Sequence, residues 1–188
     1  MMTTVAKMMV LAVVCGLLLS TGYLLSGDQI TQNQQAFELQ QLTAVIGDPD
    51  IVLVPTQIAT KTAAKTPEAA HYQLLRHGAI FGQLRSVSTS NGYNGKIRFW
   101  LATTLDGEII GVRVIEHQET PGLGDKLDLD VSDWVLGFNG ASLTTHTFDV
   151  KKFDGDFDQF SGATITPRAV IVAIAEELKQ QQANGSNQ

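Results

Sequence analysis

Two stretches of alternating side chains, Lys96 to Thr104 and Glu108 to Glu116, stand on either side of Asp106-Gly107. Ile97, Phe99 and Leu101 share one face of the first stretch, and Ile110, Val112 and Val114 share one face of the second. Asp-Gly between alternating apolar runs is the strongest short-range hairpin signal, because glycine takes the positive φ that a two-residue turn demands. The pattern predicts two antiparallel strands with one face on a core, and that face needs a covering layer. The C-terminal region supplies one. From Pro167 to about Gln180, Val170, Ile171, Ile174 and Leu178 line one side of a helix, with Arg168, Glu176, Glu177 and Lys179 on the rest. The predicted class is therefore α+β, an antiparallel sheet followed by a C-terminal helix.

The other segments are read more coarsely. Asp28 to Ile46 carries Phe37, Leu42, Val45 and Ile46 near helical spacing and ends at Gly47-Asp48-Pro49. Ile51 to Val54 suits a short strand, and Pro55 to Pro67, rich in Thr, Ala and Lys, reads as a loop. The stretch His71 to Leu84 is broken by Gly78 and its type stays open. Ser132 to Phe138 offers Trp134, Val135 and Phe138 to the core, and Trp100 is also read as core rather than as an electron conduit. Leu143 to Val150 alternates weakly, as a further strand would, and Asp154 to Ser161 is a polar loop.

The N-terminus has a different character. Met8 to Leu25 is a run of 18 residues without a charged side chain, preceded by Lys7 and followed by Asp28. A membrane-spanning helix needs about 20 mostly apolar residues. The positive-inside tendency places the N-terminus in the cytoplasm and the rest outside it. A cleaved signal peptide is the rival, but Leu19-Ser20-Thr21-Gly22 is a poor cleavage site. A lipoprotein signal at Cys15 is countered by bulky Val14 and by the length of apolar chain beyond it; Cys15 is read as a buried, small apolar side chain. The expected organisation is a stub and transmembrane anchor at 1–28, a helical and loop connector at 29–70, a folded domain at 71–180 and a disordered tail at 181–188.

Several function classes fall away. The net charge is -6 and no Lys/Arg run is present, which argues against a nucleic-acid partner. A single cysteine allows neither an internal disulfide nor a cysteine-ligated metal or iron–sulfur site. His71, His77, His117 and His146 are scattered, at no familiar metal-ligand spacing. Gly-x-Ser-x-Gly is absent, so Ser161 has no hydrolase context.

What remains is Phe160-Ser161-Gly162-Ala163-Thr164-Ile165-Thr166-Pro167, a run of mostly small residues entering the C-terminal helix. Pro167 suits the first helical position, which makes Thr166 the expected N-cap. Gly162 and Ala163 allow a ligand to approach the backbone closely. The free N–H groups and positive dipole end of a helix favour a phosphate at such a spot. On these grounds alone the segment is more often an ordinary cap.

Ser161-Gly162-Ala163-Thr164-Ile165-Thr166, with Asp158 ahead of it, resembles the flavinylation motif of the FMN-binding domains in the Rnf (or Rsx) and sodium-pumping NADH:quinone reductase complexes. His117-x-Glu119-Thr120-Pro121-Gly122-Leu123-Gly124 resembles a loop that such domains place near the flavin. Ser132-Asp133-Trp134, Phe138-Asn139-Gly140 and Phe157-Asp158-Gln159-Phe160 are similar to the G-subunit family of the Rnf complex, and the likeness is strongest from Gly92 to Ala175. The short chain favours that family over the related flavin-carrying subunit of the sodium-pumping reductase.

The resemblance implies one FMN per chain, joined through its phosphate to the Thr166 hydroxyl by a flavin transferase that takes FMN from FAD. It implies cofactor contacts from Ser161, Gly162, Ala163, Thr164, Glu119, Thr120, Gly122 and Leu123, and no catalytic residue or metal. It also implies a redox-carrier subunit rather than a stand-alone enzyme, partnered by other subunits of an ion-translocating complex in a bacterial inner membrane, with the flavin domain in the periplasm. The rival expectations are the flavin-carrying subunit of the sodium-pumping reductase, a membrane-anchored binding protein without cofactor, and a free-standing protein binding flavin non-covalently.

Overall fold

The computed structural model describes residues 6–9, 11–12, 14–16, 45–47, 50–56 and 71–185. The chain divides into two units, 1–41 and 42–188. In the first, the described residues are helical and exposed, and Cys15 is exposed rather than buried. Most of the expected anchor and of the helix over 28–46, and most of the loop at 55–67, lie outside the described residues. Among the described residues no helix is long and apolar enough to cross a membrane.

The second unit is a five-stranded sheet in the order β1-β2-β3-β4-β5, followed by a helix. The strands are β1 (Ile51–Pro55), β2 (His71–Arg76), β3 (Ala79–Thr89), β4 (Ile97–Thr104) and β5 (Ile109–Glu116), and the helix is α1 (Ile165–Gly185). Every neighbouring pair is antiparallel. The expected hairpin is β4–β5, with Gly107 at φ 83°. The stretch His71 to Leu84, open in type from sequence, forms a second hairpin, β2–β3. Its turn residues His77 and Gly78 both have positive φ, 52° and 79°, as a two-residue primed turn requires. Histidine in that place is a weaker signal than asparagine or aspartate, which hides the turn. β1 pairs with β2 from Ile51 to Pro55, so the sheet begins before the expected boundary at residue 71.

Strand alternation puts a cluster on each face. Ile97, Phe99 and Leu101 pack with Val112 and with Val170, Ile171, Ile174 and Leu178 of α1. Trp100 and Ala102 join Leu74, Leu84 and Val45 in the second cluster. Each fully buried aliphatic side chain contributes roughly 1.5–3 kcal/mol. Ile110 does not share a face with Val112 and Val114, as alternation alone would have it; it packs in the second cluster. A register shift between Ala102 and Thr103 accommodates this, since a bulge moves a side chain to the other face.

Three further expectations are corrected. Leu143 to Val150 is not a strand: Ser142 binds the Thr144 and Thr145 hydroxyls, and its carbonyl takes the N–H groups of Thr145 and His146. Ser and Thr side chains offer the backbone such local bonds in competition with a ladder. Of that stretch Val150 alone bridges, to Phe157. α1 does not stop near Gln180 but continues to Gly185. Gln181 accepts from the Thr103 hydroxyl at 2.9 Å and donates to the Thr104 carbonyl at 2.7 Å, fixing the last turns against β4. Part of the expected disordered tail is thus helix.

His71, opposite Arg85 on β3, has its pKa held below the ordinary 6.5 by burial first and by the Arg85 charge second, with Glu177 opposing. An unfolded chain takes up a proton near pH 6.5 that the folded chain refuses. This contribution is therefore intact above that pH and is lost as pH falls through and below it. Thermal melts at descending pH should show the loss, and His71→Gln should flatten it. Equal slopes in both proteins would show that other groups govern the effect.

Candidate functional site at the head of the C-terminal helix

Three connections converge at the start of α1: residues 92–95 before β4, residues 117–124 after β5, and residues 160–166 leading into the helix. Together they enclose a cleft of about 190 Å³ lined by Tyr93, Glu119, Thr120, Leu123, Gly124 and residues 162–166.

Aromatic packing presents the last segment. Phe160 lies 5.0 Å from Trp134, edge to face, and the Trp134 indole N–H donates to the Asp158 carbonyl at 2.8 Å. Gly162, at φ 81°, turns the chain, and the Ala163 N–H closes the turn on the Phe160 carbonyl at 3.1 Å. The first intrahelical bond runs from the Arg168 N–H to the Thr164 carbonyl at 3.3 Å. Thr164, not Thr166, is therefore the N-cap. Pro167 still falls in the first turn, where a missing N–H forfeits no helical bond. Thr166, the second helical residue, is 1% exposed and donates its hydroxyl to Glu119 Oε2.

Glu119 is held from three sides. Its Oε1 accepts the Asn94 N–H at 3.0 Å, and the Asn94 amide donates to Thr120 Oγ1 at 3.0 Å. The Glu119 N–H donates to His117 Nδ1 at 3.1 Å, so the proton of a neutral His117 sits on Nε2, which faces Asp128 Oδ2 at 3.1 Å. The Thr120 carbonyl accepts from Leu123 and Gly124 across a turn whose Gly122 has φ 79°. A Cβ on Gly92 would lie 2.7 Å from Glu119 Oε1, and one on Gly124 2.9 Å from Oε2 and 2.7 Å from the Glu119 Cβ. Gly124→Ala is expected to displace the loop and lower stability by about 1–3 kcal/mol, as overpacking does. Denaturant unfolding measures this, and an unchanged midpoint would mean the loop yields freely.

Of the residues singled out in the sequence, Thr166, Thr164, Ala163, Gly162, Glu119, Thr120 and Leu123 all line the cleft. Ser161 lines an adjoining polar depression instead, beside Trp134 and Asp158. Gly122 shapes the turn and lines neither. Asp158 is exposed, 2.8 Å from Lys151 Nζ. Gly124, the end of the loop expected near the flavin, lines the cleft too; Tyr93 and Ile165 line it without having been anticipated as contacts, and Asn94 holds Glu119 from outside it. Gly92-Tyr93-Asn94-Gly95 is legible as a turn, but no spacing ties a turn there to Glu119.

Among the described residues no cationic side chain lines the cleft. Arg168, next along the helix, is engaged by Asp149 through both carboxylate oxygens at 2.9 and 3.0 Å, which holds the Asp149 carboxyl below its usual range. The partial positive charge at this end of the helix comes from the backbone of its first turn.

Residues 92–179, which contain all three connections, match the FMN-binding domain family. The chain is similar to the G-subunit of the ion-translocating oxidoreductase complex of Vibrio cholerae, at 39% identity over 86% of this chain and 81% of that one. The corresponding protein of Vibrio atlanticus is 40% identical over 92% and 85%. That of Pseudoalteromonas atlantica is 45% identical over 72% and 63%.

Proposed function

Because this chain belongs to the G-subunit family of ion-translocating oxidoreductase complexes, electron carriers with an FMN-binding domain, we propose that it carries its FMN as a phosphoester on Thr166. The observation that supports this is the Thr166 hydroxyl on the floor of a cleft at the head of α1.

The residues suit the group. Ile165 and Thr166, whose N–H groups have no intrahelical acceptor, line the cleft at a helix end where a phosphate is stabilised, and Gly162 leaves the backbone open to it. At about 190 Å³ the cleft falls short of the about 300–1,000 Å³ of sites that enclose a whole ligand. It takes the phosphate end, with Gly162, Ala163, Thr164, Glu119 and Thr120 around it. The ring has Tyr93, Leu123 and Ile165 for contacts, which are 69%, 45% and 55% exposed. When bound, FMN supplies the redox chemistry. The protein fixes its place and leaves one end open to electron partners. Attachment by a covalent bond removes dissociation altogether.

The same reading extends to the surroundings. The chain works with the other subunits of its complex at a membrane and is matured by a flavin transferase that uses FAD. Met8 to Leu25 anchors it by a single span, with the flavin domain on the far side from the cytoplasm; the support is the uncharged run with Lys7 before it.

The test is direct. The full chain is produced together with a flavin transferase, run on a denaturing gel and weighed intact. A fluorescent band, heavier by FMN less water, is expected, with the added mass in the tryptic peptide spanning residues 153–168. A dark band of unmodified mass beside an active transferase would remove the covalent reading.

A further inference from the structure

Holding a phosphate does not account for Glu119. It is 6% exposed, it touches the oxygen that would carry the ester, and among the described residues no Lys or Arg lines the cleft beside it. A carboxylate next to a bound phosphate anion repels it, and more strongly where water is excluded. Nor is a carboxylate needed to hold the loop. The Asn94 N–H requires an acceptor, and the Thr166 hydroxyl is as well served by a neutral amide, which both donates and accepts. What only a carboxylate does here is take a proton.

Resting on the proposed covalent attachment, we propose that Glu119 is the general base of the chain's own flavinylation, a catalytic residue supplied by the acceptor rather than by the transferase. The threonine hydroxyl is a weak nucleophile and is activated by an adjacent base within hydrogen-bond reach. Thr166 Oγ1 attacks the phosphorus on the riboflavin side of the FAD pyrophosphate. The Oγ1–P bond forms and the P–O bond to the AMP half breaks, AMP leaving with the electron pair. The hydroxyl proton passes to Glu119 Oε2 and from there to water. Nothing is oxidised or reduced. The hydrogen bond that aims the hydroxyl is consumed in the step, and Glu119 keeps the Asn94 N–H as its partner afterwards. Gly92 and Gly124 make room for the carboxylate at this place, since a Cβ at either would collide with it.

The test uses full-length chain purified without flavin, mixed with transferase and FAD in single-turnover reactions. Covalent flavin is read from gel fluorescence and mass at a series of pH values. Glu119→Gln should slow labelling by about a hundredfold or more, the usual contribution of a positioned base. It should also abolish the acid limb of the wild-type profile, and Glu119→Asp should recover part of the rate with that limb restored. Melting curves of each variant accompany the rates. Labelling of Glu119→Gln within a few-fold of wild type, or slowed with the wild-type pH profile intact, would overturn the role as base. If Glu119→Gln does not fold, a flat acid limb in the folded Glu119→Asp variant overturns it equally. A wild-type chain that acquires no flavin would overturn the covalent attachment itself, a result distinct from a labelled wild type with an indifferent Glu119.

Discussion

Thr166→Val should give a chain that folds and carries no covalent flavin. Valine matches threonine in size and branching, so the packing of the first helical turn is kept. What is lost is the hydroxyl, and with it one of the two hydrogen bonds that the buried Glu119 carboxylate makes among the described residues. Loss of a bond to a buried charged group costs about 1.5–3 kcal/mol. The variant should therefore melt lower than wild type but cooperatively. Thr166→Ser, which retains the nucleophile, should be labelled. Thr164→Val and Ser161→Ala should also keep the label, because Thr164 serves as the N-cap and Ser161 faces the neighbouring depression. A fluorescent Thr166→Val band of modified mass would move the attachment to one of those two hydroxyls and sink the assignment.

The largest effect on stability is expected at Phe138. Its side chain is fully buried, edge-on to Trp134 at 5.0 Å and stacked on Phe157 at 4.6 Å. Truncation of a buried phenylalanine costs about 3–5 kcal/mol, against about 5–15 kcal/mol for a whole domain. Phe138→Ala should lower the melting temperature by about 10 °C or more. Labelling of Thr166 should fall with it, because Trp134 and Phe160, which hold the approach to the helix, pack on the same group. A loss below about 1 kcal/mol would show that the site collapses around the gap and that the aromatic group is not what holds the segment.

The parts legible in the sequence were those written between near neighbours. The β4–β5 turn shows as Asp106-Gly107, and the buried stripe of α1 as Val170, Ile171, Ile174 and Leu178 at helical spacing. The sequence leaves the β2–β3 turn open because His77-Gly78 is a weaker hairpin signal than Asn-Gly or Asp-Gly. Leu143 to Val150 deceived because weak alternation gave no account of the hydroxyl groups around Ser142. At the site, residues 161–166 and 117–124 were found as two separate motifs. The turn at 92–95, which positions Glu119, carries no chemical signature of its own.

By itself, then, the sequence determined that a sheet and a C-terminal helix form, and that a threonine lies at the head of that helix, because periodicity and turn chemistry act between residues a few positions apart. The tertiary structure decided which oxygen that threonine meets. Thr166 and Glu119 are 47 residues apart, and only the packing of α1 against the sheet brings a buried carboxylate to that hydroxyl. It also placed the N-cap at Thr164, because the turn at Gly162 fixes where the backbone enters the helix, whatever the general preference for proline at its first position.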